Sequence, residues 1–177
     1  MKSHRWGTEW ALDWAVRLAN EADAERVGSV LRSAYARFDL PGHDRDRLTD
    51  ALAAITSPPL PLLRSGRYFV AELDGELLAC GGWSPDPPPS VAGRPGVGHL
   101  RHFATRADWA GRGVGRSLHA ASERQALAEG IRRLDVVSTP DAVTFYSSLG
   151  FEPLGPMDIP IAGFAMPAIY MSRRMAR

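Results

Sequence analysis

The sequence predicts an α/β chain, and two observations carry that prediction. Segments whose apolar residues alternate with period two are interleaved with segments whose apolar residues recur every three to four positions, in the order β-α-α-β-β-β-α-β-α-β-β. Between a strand-like run ending at Thr105 and a helix-like run starting at Gly113 lies a loop with glycine at alternate positions, Gly111, Gly113 and Gly115. The 177 residues suit one domain, 1–177, with a sizeable core.

Trp10, Leu12, Trp14, Val16 and Leu18 alternate, as in a half-buried strand ending near Ala19. Trp6, Trp10 and Trp14 also fall at helical spacing; a homodimer contact is one use of this stripe and a packed edge of the core the preferred one. Asn20 suits the cap of a helix that carries Val27, Val30, Leu31, Ala34, Tyr35 and Phe38 on one face. Leu48, Leu52 and Ile55 mark a second helix beyond the loop Asp39 to Asp46, and Ser57 to Pro61 reads as a loop. Arg67 to Leu73 and Glu76 to Trp83 read as strands joined by Asp74-Gly75, a two-residue hairpin turn.

Pro85 to Pro95 is too short for a domain linker and reads as a loop beside the site. Val97 to Thr105 is the next strand, followed by a helix over Gly113 to Ala128 and a strand over Leu134 to Val137. Thr139 and Pro140 suit the start of a short helix carrying Ala142, Phe145, Tyr146 and Leu149, and Gly150 suits its left-handed end. Phe151 to Leu154 and Ala165 to Arg173 close the sheet.

Composition narrows the function classes. A formal net charge of +1 gives no global field toward nucleic acid or an anionic membrane surface. Cys80 is the only cysteine, so no internal disulfide forms and a reducing compartment is expected. Met1 to Trp14 carries Lys2, Arg5, Glu9 and Asp13 and no long apolar core, and no run approaches the ~20 apolar residues of a membrane span. The expected location is the cytoplasm. His99 and His102, three apart on a strand, fall on opposite faces, His119 reads as a helix-surface residue, and no metal signature occurs.

The glycine loop points to a phosphate-bearing ligand. Glycines let the backbone close around an anion, and the free N–H groups of the following helix point at it with the positive end of the dipole behind them. A tight strand-to-helix turn is the plainer use of the same glycines. The loop is not a nucleoside triphosphate P-loop, since Arg116 and Ser117 follow Gly115 where a lysine would be needed. A dinucleotide fingerprint is disfavoured because Asp135, 20 residues on, sits inside its apolar run and no βαβ series surrounds it.

The pattern A-x-x-F-Y-x-x-L-G-F, from Ala142 to Phe151, resembles the tyrosine-bearing helix of the GNAT superfamily of acyl-CoA-dependent N-acetyltransferases. The glycine segment resembles that family's pyrophosphate loop, Q/R-x-x-G-x-G/A, with Gly113, Val114 and Gly115 on its last positions. Both occur in the family's order and at its separation. The resemblance implies a mixed, mainly antiparallel sheet flanked by helices, with acetyl-CoA as cosubstrate. It implies cofactor contacts from Phe103, Ala104 and Thr105, from Gly111, Arg112, Gly113, Val114, Gly115, Arg116 and Ser117, and from Thr139. Ala110 stands where the family has Gln or Arg, and Thr139 where it often has Asn, so binding would lean on backbone amides with Arg112 and Arg116.

The same resemblance gives the chemistry its residues. His99 falls where several relatives carry a Glu or His base, and strand alternation sends it to the face of Arg101 and Phe103. Its structural alternative is a histidine bonded to backbone. Tyr146 is the expected general acid at the departing sulfur, with a core aromatic as its alternative. His43, in the loop that shapes the family's acceptor site, and Arg101 are the expected substrate contacts, Arg101 meeting either an anionic acceptor or a structural carboxylate. Cys80 reads as a packed thiol. The expected activity is acetyl transfer to a primary amine of a small molecule or peptide; a non-catalytic acyl-CoA-binding module of the same fold is the alternative, encouraged by Ala110.

Overall fold

The computed structural model describes residues 14–176. Trp6, Trp10 and Leu12 lie outside the described residues, while Trp14 packs half-buried beside the core. Ala15–Leu18 (β1) pairs antiparallel with Tyr68–Leu73 (β2), which continues through Glu76–Ser84 (β3) into Val97–Thr105 (β4). The turn between β2 and β3 is Asp74-Gly75, both at positive φ (50° and 83°), as a twisted two-residue hairpin requires. Arg133–Ser138 (β5) then lies parallel to β4, and Glu152–Ile161 (β6) and Phe164–Arg174 (β7) complete a seven-stranded sheet in the order β1-β2-β3-β4-β5-β7-β6. The sheet is mixed and mainly antiparallel, with β4–β5 its parallel pair.

Helices Ala24–Tyr35 (α1), Arg45–Ile55 (α2) and Leu60–Arg64 (α3) cover one face, and Val114–Ala128 (α4) and Val143–Ser148 (α5) the other. Asn20 caps not α1 itself but a 3-10 turn before it, accepting from Ala22 N at 2.9 Å while Asp23 reaches back to Asn20 N. α3 begins inside the segment read as a loop, where the prolines suit the first turn of a helix and Leu62 and Leu63 bury against Val70 and Leu77. β6 runs well past the expected Leu154, because its length is fixed by pairing with β7 rather than by its own proline-interrupted sequence. Thr139 precedes a 3-10 turn, Pro140–Ala142, but makes no side-chain cap, and Gly150 (φ 88°) ends α5.

His119 is a correction. It is buried, packed edge-on against Phe151 with ring centroids 5.7 Å apart, because α4 is covered by the start of β6 as well as by the sheet. His102 is another. It has φ 48° at a bulge where two β4 residues oppose Gly81 of β3, and its ring turns to the Ile55 carbonyl at the end of α2, on the face that also carries His99. Burial first, then nearby guanidinium groups (Arg173 and Arg116 for His119, Arg101 for His102), lowers both rings to about 4.

An unfolded histidine takes up a proton near pH 6.5, so these two groups leave folding stability intact above that value and remove it as pH falls toward 4. The urea midpoint is expected to drop across that window. His119→Phe, which keeps an aromatic ring against Phe151, should shrink the drop without abolishing it because His102 still titrates. An undiminished drop in the variant would remove His119 from the account.

Candidate functional site

β4 and β5 share only three rungs, Val97–Arg133, Gly98–Leu134 and His99–Asp135. After His99, β4 stays paired with β3 as far as Thr105, and β5 stays paired with β7 as far as Ser138–Ile169. The two strands therefore part, and the edge of β4 that faces β5 has no strand partner beyond the third rung. A cleft of about 490 Å³ opens at the divergence, walled by Phe103, Ala104 and Thr105 on one side and by Thr139, Phe145 and Tyr146 on the other.

The bulge at His102 fixes which β4 side chains reach this cleft. It breaks the alternation, so Phe103 does not share a face with His99 and Arg101 as simple period-two counting predicts. Phe103 lies over Gly81, where a Cβ would come within 2.6 Å of its ring. That ring packs on the α4/α5 side, while Ala104 packs on the α1 side.

Gly111, Gly113, Val114, Gly115 and Arg116 form the end of the cleft. Gly111 and Gly113 hold φ of 77° and 89°, a left-handed shape that turns the chain into α4. The first intrahelical bond of α4 runs from Ser117 N to Gly113 O at 3.1 Å, which leaves the N–H groups of Val114, Gly115 and Arg116 without helical partners. Gly115 serves differently: a Cβ there would meet Phe145 at 3.2 Å, so glycine lets α4 approach α5. Two expected contacts are placed elsewhere. Arg112 lies over the Trp109 ring at 4.8 Å, and the Ser117 hydroxyl accepts from Trp14 Nε1 (2.8 Å) and donates to Val114 O (2.7 Å). Both side chains fall outside the cleft lining, whereas Arg116 lines it and donates to the Ser148 hydroxyl at 3.2 Å.

Tyr146 is only 6 % exposed, its ring held edge-on by Phe145 (5.1 Å) and Phe151 (5.7 Å). It is a core aromatic and a cleft residue at once. No hydrogen bond from another described residue reaches its hydroxyl, and burial pushes the phenol well above the ordinary tyrosine range, so it stays a proton donor at neutral pH. Tyr35, which the sequence places simply on the apolar stripe of α1, reaches the same cleft from the opposite side of the sheet. Burial and the nearby Asp141 raise its phenol to about 12. The signal available in the sequence was its place at the last turn of α1, where a stripe residue runs off the core.

On the α1/α2 face, His99 is 1 % exposed and its Nε2 is buried without a partner. Burial lowers its pKa, Arg101 acts in the same sense, and Asp135 and Asp86 oppose them, so the ring is neutral at physiological pH. Asp135, its rung partner, is a buried carboxylate that accepts from Arg133 Nε (3.1 Å), Ser172 Oγ (2.5 Å) and the Tyr170 hydroxyl. This network was not foreseen, although Asp135 amid an apolar run and Tyr170 and Ser172 at period two were its traces. His43 is exposed on the loop before α2, its ring 5.8 Å from Phe164 at the β6–β7 hairpin and away from the cleft lining. Cys80 is fully buried and its thiol is pushed up to about 12.

Among the described residues, no helix is long and apolar enough to cross a membrane, and no group of three or more His, Cys, Asp or Glu side chains is placed to hold a metal ion. Solved structures share the architecture. A GCN5-related N-acetyltransferase from Rhodopseudomonas palustris aligns with a TM-score of 0.75 at 20% identity, over 96% of this chain and 100% of that one. The PaiA N-acetyltransferase from Thermoplasma acidophilum, solved in complex with coenzyme A, aligns with a TM-score of 0.66 at 13% identity, over 92% and 99%. A ribosomal-protein-alanine N-acetyltransferase from Brucella melitensis aligns with a TM-score of 0.61 at 20% identity, over 91% and 99%. No curated protein matches the sequence. The family model for acetyltransferases of the GNAT family matches residues 30–151, a span that holds the diverging strands, the glycine turn and the tyrosine helix, and the chain belongs to that family.

Proposed function

We propose that the chain is a single N-acetyltransferase domain, residues 1–177, that moves an acetyl group from acetyl-CoA to a primary amine of a small molecule or peptide. The observation that carries this reading is the cleft itself. An unpartnered strand edge leads from the free amides of α4 past a tyrosine hydroxyl that no described residue engages. The parts suit an acyl-CoA: a pyrophosphate suits amides at a helix N-terminus, the amide-bearing arm suits a bare strand edge, and a departing thiol suits a neutral donor. The complex of the Thermoplasma acidophilum relative with coenzyme A supports the same reading.

Acetyl-CoA supplies the activated acyl group; the reaction forms a C–N bond, breaks the C–S bond and leaves an amide and a free thiol. In this reading the Val114, Gly115 and Arg116 amides bind the pyrophosphate, and Thr139 and the β4 edge at Phe103 to Thr105 position the arm and its carbonyl. His99, neutral in its site, takes the proton that an alkylammonium must lose, directly or through one water. Tyr146 gives its proton to the sulfur. The alternative of a binding module rests on Ala110, which adds no side-chain donor, but such a module has no use for a buried phenol left unpartnered at the cleft wall.

Thiol titration of released CoA across amines, amino acids and peptides tests the activity; no release with any acceptor would favour the binding module. For the cofactor site, acetyl-CoA should raise the melting temperature of the wild type and not that of Gly113→Val. No atom lies within 4 Å of a Cβ at Gly113, so the substitution acts through its φ of 89°, a strain of order 1–3 kcal/mol that reshapes the turn. An equal ligand-induced shift in the variant would move the site elsewhere.

Tyr146→Phe removes one hydroxyl and little volume. Turnover is expected to fall by about 100-fold to 10,000-fold with acetyl-CoA binding nearly unchanged; a loss of only a few-fold would leave Tyr146 as packing.

His99 makes a prediction about pH. At limiting acceptor the rate should rise with pH through an apparent value below 6.5, since burial and then Arg101 disfavour the protonated ring more than Asp135 and Asp86 favour it. His99→Gln should flatten that acidic limb and lower the rate. A limb that persists in the variant would assign the titration to another group.

A further inference from the structure

Six arginines are half-buried among the described residues: Arg17, Arg67, Arg101, Arg106, Arg133 and Arg173. Five have a carboxylate within 4.0 Å, namely Asp23, Glu129, Asp108, Asp135 and Glu123 in turn. Arg101 has none. Its one hydrogen bond is a long one, 3.3 Å from Nη1 to the Ser84 hydroxyl, so most of its five donors are unspent. A guanidinium taken partly out of water without a counter-charge costs free energy, and elsewhere this chain avoids that cost by pairing.

The charges around Arg101 do not supply the missing partner. Asp86 acts on it from beyond ion-pair distance. Asp135 is committed to Arg133, Ser172 and Tyr170, and Arg94, from the proline-rich loop, adds a second positive charge near Tyr170. Arg101 and His99 share a face of β4 two residues apart, a span of about 7 Å that a guanidinium stem can shorten. A small molecule whose anion meets Arg101 therefore carries its amine along the same strand face as His99, whose buried Nε2 it reaches directly only if the packing over that ring opens and otherwise through one water. A single guanidinium with one neighbouring hydroxyl matches a planar carboxylate, whereas a phosphate of nearly two charges calls for more donors.

We propose that the acceptor is an amine that also carries a carboxylate, of the amino-acid class, with Arg101 as the group that recognises it. This inference rests on the acetyltransferase reading and adds the acceptor's chemistry to it. The test is CoA release with matched pairs, each an amino acid and its carboxamide. The wild type should prefer the acid by about tenfold or more in kcat/KM, mostly through KM, as a charge-assisted bidentate contact allows. Arg101→Gln should raise KM for the acid at least tenfold more than for the carboxamide, and Arg101→Lys should recover part of the preference.

A wild type that turns over the carboxamide as well as the acid would overturn the inference while leaving the acetyltransferase reading in place. So would equal losses for both substrates in Arg101→Gln. The wild-type comparison stands even if a variant fails to fold. Acetyl-CoA binding without release of CoA to any member of the panel would sink the acetyltransferase reading and this inference together.

Discussion

The cleft of this molecule depends on β4 and β5 being held together for three rungs and no more. Each strand is committed on its far side, β4 to β3 and β5 to β7, so neither can bend across to close the gap. Backbone groups left without a ladder must find other partners or face solvent. The divergence turns that structural cost into a strand edge on which an amide-bearing ligand can pair, and it gives α4 and α5 a gap into which to project the glycine turn and Tyr146.

The bulge at His102 is the second constraint. Without it, His99, Arg101 and Phe103 would lie on one face and compete for the same space. With it, the aromatic ring goes to the α4/α5 side, over Gly81, and His99 and Arg101 remain on the α1/α2 side. The sheet thereby keeps an apolar wall for the cleft separate from a charged face next to it. That charged face is built around Asp135, a buried carboxylate whose neighbours satisfy it so fully that it can sit beside a neutral histidine.

Dual use runs through the site. Gly115 packs α4 against Phe145 and also lines the cleft, and Tyr146 fills the core while it lines the cleft. A residue that supports the fold and also lines the cleft is held rigidly by its packing, which is the condition a reacting group needs.

The sequence by itself determined the element order apart from α3, the hairpin at Asp74-Gly75, the strand Val97–Thr105 and the glycine turn, because these depend on local rules: period, φ preference and helix ends. It also carried the two motifs of the family, which lie on the opposing sides of the cleft. Tertiary structure alone decided the rest. Where β4 leaves β5, which way the bulge turns Phe103, that His119 is buried, that Arg112 stacks on Trp109 and that Tyr35 reaches the cleft all depend on which distant segments pack together. So does the charge state of Arg101's surroundings, since the aspartates that could have paired with it are spoken for or held off by strands far away in the chain. Local periodicity contains no information on such pairings, because a carboxylate's partner is chosen by sheet order and not by sequence distance.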